Sequence, residues 1–548
     1  MGEQTRDRGP SREAAALALA RRHTVGDLLS KTAARFPERT AIGWRGVRET
    51  YAQFNQTVNR TANSLNERGV AKGDRIALLA HNCREFVVLY FALAKLGAIS
   101  VPLNFMLRAE EVAFILEHSG ATGLVVEDAL APVAERALAS LRHECGVLGW
   151  ISLDQQEARP GWEDVKAWMA GSDASEPVAE IADEDPLQLM YTSGTEARPK
   201  GVTLTSRSLI AQYVTAIVDG GMSETDVEAH ALPFYHCAQL HCFFTPDVYL
   251  GATSIILGGA EPGTLLQTIE TERITKLFCP PTVWISLLRH PDFDRRDLSS
   301  LQKGYYGASA MPVEVLKEIS KRLPELRLWN FYGQTEMAPV ATILKPHEQL
   351  TRLGSAGRAG LNVETMVVDD SDQSVPSGEV GEIVHRSPHA MTGYWQDPER
   401  TAQAFKNGWF HSGDLGVIDS DGYLTVVDRK KDMIKTGGEN VASREVEEVI
   451  FAHPAVAEVA VFGISHPYWV EAVTAAVVLK PGAGVEAEEL IAHARTRLAG
   501  YKVPRYVVEV DSLPKNPSGK ILKRQLRDSH AHLAISPPPA RGEAGRGV

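Results

Sequence analysis

The sequence predicts an α/β protein: a large N-terminal domain of βαβ-built sheets flanked by helices, followed by a small, mobile C-terminal α+β domain. Three observations carry that prediction. At 548 residues the chain exceeds what one hydrophobic core usually organises. Between about residue 50 and residue 126, strand and helix signals alternate at crossover length. After the charged run Asp428-Arg429-Lys430-Lys431-Asp432 the pattern changes, and few apolar contacts could cross that junction.

In chain order, Thr50 is placed to cap a helix whose Tyr51, Phe54, Val58 and Leu65 share one face, and Gly69 ends it. A strand follows at Arg75 to Ala80. Next come a helical run ending at Gly97, an apolar strand at Ile99 to Leu103, a helix from Ala109 to His118 stopped by Gly120, and a strand at Gly123 to Val126. Such repeats build right-handed crossovers and a largely parallel sheet. A hairpin is expected around Asp421-Gly422. Beyond the junction the strands are Val456 to Gly463, Ala472 to Leu479 and Arg505 to Val510, with a helix from Glu486 to Leu498. The expected domains are residues 23–430 and 431–535, with mobile tails at 1–22 and 536–548.

Composition narrows the function. Lys and Arg total 57 against 69 Asp and Glu, and the net charge of −12 excludes a mainly electrostatic grip on nucleic acid. The longest apolar stretch, Phe86 to Leu103, is interrupted by Lys95, Gly97 and Pro102, so no transmembrane segment is expected. Five scattered cysteines, and Arg6 and Arg8 without a following apolar core, fit a reducing cytoplasm.

The segment Tyr191-Thr192-Ser193-Gly194-Thr195-Glu196-Ala197-Arg198-Pro199-Lys200-Gly201 concentrates hydroxyls, glycines and a lysine behind the apolar Leu187 to Met190. Backbone N–H groups, hydroxyls and one ammonium of this kind can hold a nucleotide's phosphates. It is not a Walker A loop, because Pro199 precedes the lysine and Gly201 follows it; a solvated turn is the alternative. His236-Cys237, His241-Cys242 and nearby His230 superficially suggest a metal cluster, although zinc sites use tighter pairs and this segment is apolar and aromatic.

The phosphate-loop segment resembles that of the adenylate-forming superfamily, which includes acyl-CoA synthetases, luciferases and peptide-synthetase adenylation domains. Further stretches match in family order: Gly307-Ala308-Ser309, Tyr332-Gly333-Gln334-Thr335-Glu336, Ser412-Gly413-Asp414, Asp428 to Gly438, and Pro517-Ser518-Gly519-Lys520. The stretch from Asp428 to Glu448 looks most like the fatty-acyl-CoA synthetase branch.

The resemblance implies ATP or acyl-AMP, Mg²⁺ and coenzyme A as ligands, with a small carboxylic acid as substrate. It implies that Thr192, Ser193, Gly194, Thr195 and Lys200 hold phosphates, Glu336 coordinates Mg²⁺ and Thr335 bonds the α-phosphate. Tyr332 would stack on adenine, with Gly307, Ala308 and Ser309 lining the base; Asp414 would accept the ribose hydroxyls and Arg429 would add a charged contact. Lys520 would bridge carboxylate and α-phosphate during adenylation, His236 would stand at the carboxylate end of the acyl tunnel, Lys431 would be the hinge, and Gly438 would line the pantetheine tunnel. Phe234, Tyr235, Tyr305, Tyr306, Met311 and Met337 are expected to form an apolar acyl pocket.

The loop departs from the family at Glu196 and Ala197, where small or hydroxyl residues and a glycine are usual. A carboxylate ~6 Å from one phosphate charge costs roughly 3 kcal/mol at an effective dielectric near 20. Acyl-CoA ligation by a full enzyme is therefore set beside thioesterification alone, fed with acyl-AMP by a separate adenylating enzyme, and more remotely beside noncatalytic binding of acyl-AMP or CoA.

Overall fold

The computed structural model describes residues 17, 19–154, 157–192, 199–430, 432–517 and 519–535. Two large sheets, a smaller antiparallel sheet and a C-terminal sheet organise the chain. The first has nine strands. Its centre is parallel: Arg327–Gly333, Lys303–Gly307, Lys276–Phe278, Val227–His230, Thr253–Ile256 and Thr40–Trp44 lie in that order. The second has eight strands, with Pro186–Thr192, Ile99–Pro102, Arg75–Leu79, Gly123–Glu127 and Val147–Ile151 parallel at its core. Its edge turns antiparallel through Lys200–Thr205 and Gly393–Tyr394.

The local signals for the first crossovers operate as expected. Thr50 caps Tyr51–Glu67 by accepting from the Gln53 amide at 3.2 Å, and Thr50 N in turn donates to Gln53 Oε1 at 2.9 Å. Arg84–Leu96 and Ala109–Ser119 end on left-handed Gly97 and Gly120. The helix Arg84–Leu96 is buried on all sides, which explains its continuous apolar run. Its one internal cation is fully engaged: Lys95 donates to Ser30, Asn55, Asn59 and Glu176, all at 2.7–2.8 Å. Among the described residues no helix is long and apolar enough to cross a membrane.

The antiparallel sheet joins Glu364–Val368, Gly381–Arg386, Trp409–Ile418, Phe405–Lys406 and Leu424–Arg429. Apart from the hairpin at Gly422, nothing in the sequence pattern announces it. The C-terminal sheet pairs Val456–His466 with Val470–Leu479, and Tyr506–Glu509 runs parallel to the latter. The helix Ala487–Arg495 packs beside it. At the other end, Arg22 donates to Asp27 at 2.6 Å and to the Ala179 carbonyl at 3.2 Å. Lys431 and the tail 536–548 lie outside the described residues.

Candidate active site

The strands Lys303–Gly307 and Arg327–Gly333 run parallel and end side by side, and a cleft of about 790 Å³ opens at their carboxyl ends. This is where open α/β sheets usually bind ligands. A Cβ on Gly307 would lie 2.5 Å from the Phe331 carbonyl oxygen, so only glycine lets the two strand ends approach this closely. Ala308 follows in the left-handed region at φ 64°, a local strain of the kind that gathers at binding sites.

Past Gly333 the chain makes a short turn, Thr335–Met337, that presents Thr335 and Glu336 to the cleft. Lys200 enters from the opposite wall, at the start of its strand. Its ammonium lies 2.9 Å from Glu336 Oε1, and the Tyr394 hydroxyl joins both, accepting from Lys200 and donating to Glu336 Oε1 at 2.9 Å. The donor set suits a hard divalent cation. Glu336 is a largely buried carboxylate already balanced by a positive charge, and Mg²⁺ characteristically takes one or two carboxylates plus phosphate oxygens and water.

On the third wall, Tyr332 donates its phenol to Asp414 Oδ2 at 2.8 Å, and Arg429 Nε stands 3.5 Å from Oδ1. Burial raises the Asp414 carboxyl above its ordinary range, against the pull of Arg429 and, further off, Lys520. Tyr332 therefore lines the cleft with its ring orientation fixed from below.

Lys520 reaches the same cleft from the far end of the chain. Thr282 Oγ1 donates to the Gly519 carbonyl at 3.3 Å, docking the loop on the large domain, and Lys520 and Asn516 line the cleft. Opposite, His236 Nδ1 accepts from the Ala238 amide at 3.1 Å, which leaves Nε2 as the proton-bearing nitrogen of a neutral ring. Burial, helped by the nearby Lys520 charge, lowers the His236 pKa to about 4. The Thr335 hydroxyl pairs with Cys237 Sγ at 3.2 Å. Thr192 Oγ1 and Gln334 Nε2, both from residues lining the cleft, are buried with no hydrogen-bond partner among the described residues. Such atoms await a polar ligand.

The structure thus assembles Lys200, Glu336, Thr335, Tyr332, Asp414, Arg429, His236, Gly307, Ala308, Thr192 and Lys520 around one cavity. Ser193, Gly194 and Thr195, with Glu196 and Ala197, lie outside the described residues. Ser309 is exposed and does not line the cavity. Gly438 sits in an exposed turn between Ile434–Thr436 and Glu439–Val441, where a Cβ would meet nothing within 4 Å, and it too is away from the cavity in this arrangement.

The acyl pocket differs from expectation. Only Tyr235 of the six named residues lines the cavity. Phe234 packs on Phe244, Tyr305 donates to the Gly220 carbonyl, Tyr306 donates to Gln349, and Met311 and Met337 are core. The apolar end is instead built by Ala238, Cys242, Phe243, Phe278, Phe331 and Val340. Phe243 stacks on both Phe278 and Phe331, at 4.5 and 5.8 Å between centroids. It is carried there by a π-helical turn, Ala238–Phe244, a local widening common near binding sites and without a simple sequence signal.

Among the described residues, His236, Cys237, His241, Cys242 and His230 do not form one cluster of metal ligands. His241 is hydrogen-bonded to Tyr213 and Gln188, whereas His230 belongs to a fully buried group with Glu228 and Asp247. Lys276 fills the middle of that group, 2.9 Å from Glu228 Oε2 and paired with Asp247, so an ammonium already takes a cation's place.

The AMP-binding enzyme family matches residues 29–395, and the AMP-binding enzyme C-terminal domain matches residues 445–520. Feruloyl-CoA synthase from Amycolatopsis sp is 37% identical over 509 residues, covering 92% of this chain and 99% of the relative. The long-chain-fatty-acid–CoA ligase FadD13 of Mycobacterium tuberculosis (strain ATCC 25618 / H37Rv) is 36% identical over 490 residues, covering 88% and 94%. Among solved structures, the anthranilate CoA ligase AuaEII in complex with anthranoyl-AMP superposes with a TM-score of 0.87 at 27% identity, covering 95% of this chain and 100% of that one.

Proposed function

The chain belongs to the AMP-binding enzyme family, in the acyl-CoA ligase branch of the adenylate-forming superfamily, and from that premise we propose that it joins a hydrophobic carboxylic acid to coenzyme A through an acyl-AMP intermediate. One observation carries the reading: Lys520, from the C-terminal domain, shares a cavity with Lys200, Glu336 and the Tyr332–Asp414 pair of the large domain.

In the first step the acid's carboxylate attacks the α-phosphate of ATP and pyrophosphate leaves. Lys520 would place positive charge between the two reacting anions, and neutral His236 would offer its Nε2 proton to the acid's oxygen. Asp414 would accept the ribose hydroxyls, and Lys200, with Thr192, would hold the phosphates being expelled. Mg²⁺, when held on Glu336, neutralises charge on those phosphates.

In the second step the CoA thiol adds to the acyl carbonyl carbon and AMP leaves. For that the domain after residue 430 would turn about Lys431, withdrawing Lys520 and bringing Gly438 to the cavity. The exposed Gly438 turn is free to make such a move.

The stacked Phe243, Phe278 and Phe331 favour a hydrophobic, flat acyl group, in keeping with the feruloyl and anthranoyl groups named for two relatives. A cytoplasmic setting, where ATP and CoA are made, fits five cysteines that form no disulfide. Glu196 and Ala197 support a second reading, in which adenylation is impaired and acyl-AMP is supplied by another enzyme.

The test is to incubate the chain with aryl, cinnamic-type and fatty acids, Mg²⁺ and ATP, measuring pyrophosphate, and separately to supply synthetic acyl-AMP with CoA. Pyrophosphate release together with thioester supports full ligation. Thioester from acyl-AMP alone supports the second reading, and silence in both assays refutes both.

A further inference from the structure

Tyr394 lies outside the stretches that carry the family resemblance and takes no part in the two ligation steps, yet its hydroxyl bridges Lys200 and Glu336, both of which line the cleft. Its position follows from strand pairing. The two-residue strand Gly393–Tyr394 runs antiparallel to Lys200–Thr205, with Tyr394 opposite Val202, and the Trp395 amide donates to the Gly201 carbonyl at 2.7 Å. That register slides the tyrosine ring under the lysine, with Nζ 4.2 Å from the ring centroid.

The backbone around Tyr394 is pinned as well. Its amide donates to Thr401 Oγ1 at 2.9 Å, and the Met391 amide donates to the Glu336 carbonyl at 2.8 Å. Tyrosine and glutamate are 8% and 6% exposed, too little for water to balance the carboxylate, so a counter-charge must come from a neighbour. Lys200 provides it.

We propose that Tyr394 is a positioning residue of the metal and phosphate site, tying Lys200 to Glu336 while no nucleotide is bound, so that the Lys200 ammonium stands in for the divalent cation at that carboxylate. The inference rests on the ligase reading for its choice of cation. Lys200 and the phenol both lie on Oε1, so among the described residues neither of these two partners occupies Oε2. With a divalent ion held on Glu336, the Lys200 ammonium would be repelled and would turn to the phosphates. Tyr394, fixed on its strand, stays hydrogen-bonded to Glu336 and keeps the carboxylate turned. Metal loading and phosphate capture are thereby one event.

Mn²⁺ serves as the probe, its free concentration read by electron paramagnetic resonance on the full chain. Lys200→Met keeps the aliphatic stem and removes the competing charge; it is expected to tighten Mn²⁺ binding to the nucleotide-free protein about tenfold, and Glu336→Gln added to it to abolish the gain. Tyr394→Phe is expected to weaken Mn²⁺ binding in the presence of α,β-methylene-ATP about fivefold, and to raise KM for Mg-ATP about tenfold with kcat falling less than about threefold. Unchanged or weaker Mn²⁺ binding in Lys200→Met, or no detectable binding in either protein, overturns the stand-in. Wild-type Mn²⁺ affinity in Tyr394→Phe overturns the positioning role. The Lys200→Met measurement does not depend on Tyr394→Phe folding. Because Mn²⁺ binding is read without turnover, a chain that ligates no acid would refute the ligase reading and still report on this one.

Discussion

Asp414 is held by two neighbours, both of which favour its charged form against the cost of burial. Tyr332 commits its only O–H to Oδ2, while Arg429 approaches Oδ1 from 3.5 Å. A ribose would add two donors to a carboxylate whose burial already favours any partner that stabilises its charge. Asp414→Ala is accordingly expected to weaken AMP binding by about two orders of magnitude, roughly 3 kcal/mol for two hydrogen bonds to a charged group, as measured by calorimetry. Asp414→Asn should recover part of it. A loss below about threefold would mean that the ribose lies elsewhere. Asp414, Glu336 and Lys520 could be assigned to one cavity in advance because each sits in a short stretch that resembles a family motif. Phe243, Phe278 and Phe331 could not, because they are ordinary apolar residues on three separate elements, and they meet only after the sheet has formed. Tyr305 and Tyr306 show the converse. Aromatic character alone does not say which face of a strand a ring occupies, and both are committed to the core.

Elements with strong punctuation were readable and those without it were not. Thr50, Gly97 and Gly120 bound helices by capping chemistry that is local in sequence. The antiparallel sheet that carries Asp414 is irregular instead, with register shifts between Glu382 and Val384 and between Leu415 and Gly416 that break the two-residue alternation. The loop bearing Lys520 depends on a feature the motif did reveal. Gly519 has φ 79°, and a Cβ there would lie 2.7 Å from Thr282 Oγ1 and 2.8 Å from Pro280 Cγ. Gly519→Ala should therefore lower pyrophosphate release at least about tenfold, by about 1 kcal/mol of backbone strain plus the displaced contact. Little change in melting temperature is expected, since the loop is at the surface. An unchanged rate would show that the loop need not dock there for adenylation.

The turn between the two long C-terminal strands presents the reverse case. Val470, a β-branched residue 64% exposed, is held at φ 69° while the Trp469 carbonyl accepts from the Gly437 amide at 2.9 Å. Val470→Asn gives up little burial and relieves a left-handed conformation, so the C-terminal domain should gain about 1 kcal/mol in urea unfolding. A loss of stability would show that the valine side chain makes a contact worth more than the strain.

At the scale of the whole molecule, the small domain touches the large one through contacts that the proposed rotation would have to break. Arg444 donates to the Val426 and Gly354 carbonyls, Arg289 to the Ala457 carbonyl, and Thr282 to the Gly519 carbonyl. Beside these polar contacts, Phe451 of the small domain packs against the large domain's core cluster that includes Leu288, Leu316 and Ile319. The large domain, by contrast, is committed to neutrality at four histidines. Burial lowers the pKa of His236 and His389 to about 4, and of His241 and His385 to about 3, with Lys520 adding to the effect at His236. In the unfolded chain each titrates near 6.5. Above pH 6.5 both states leave these rings neutral, and their protonation has no effect on stability. Between pH 6.5 and about 4 the unfolded chain binds protons that the folded chain refuses. Stability therefore rises with pH across that window and is lost as the solution is acidified. The limiting slope is about 1.4 kcal/mol per pH unit for each histidine, before any carboxylate contributes. The urea midpoint of the large domain should then be flat from pH 8 to pH 7 and fall steeply from pH 6 to pH 5. His385, whose Nε2 is buried without a partner among the described residues, offers the control. His385→Gln should shallow the fall by about a quarter if the four sites contribute alike. A midpoint that holds steady between pH 7 and pH 5 would mean that the folded protein admits protons to these rings after all.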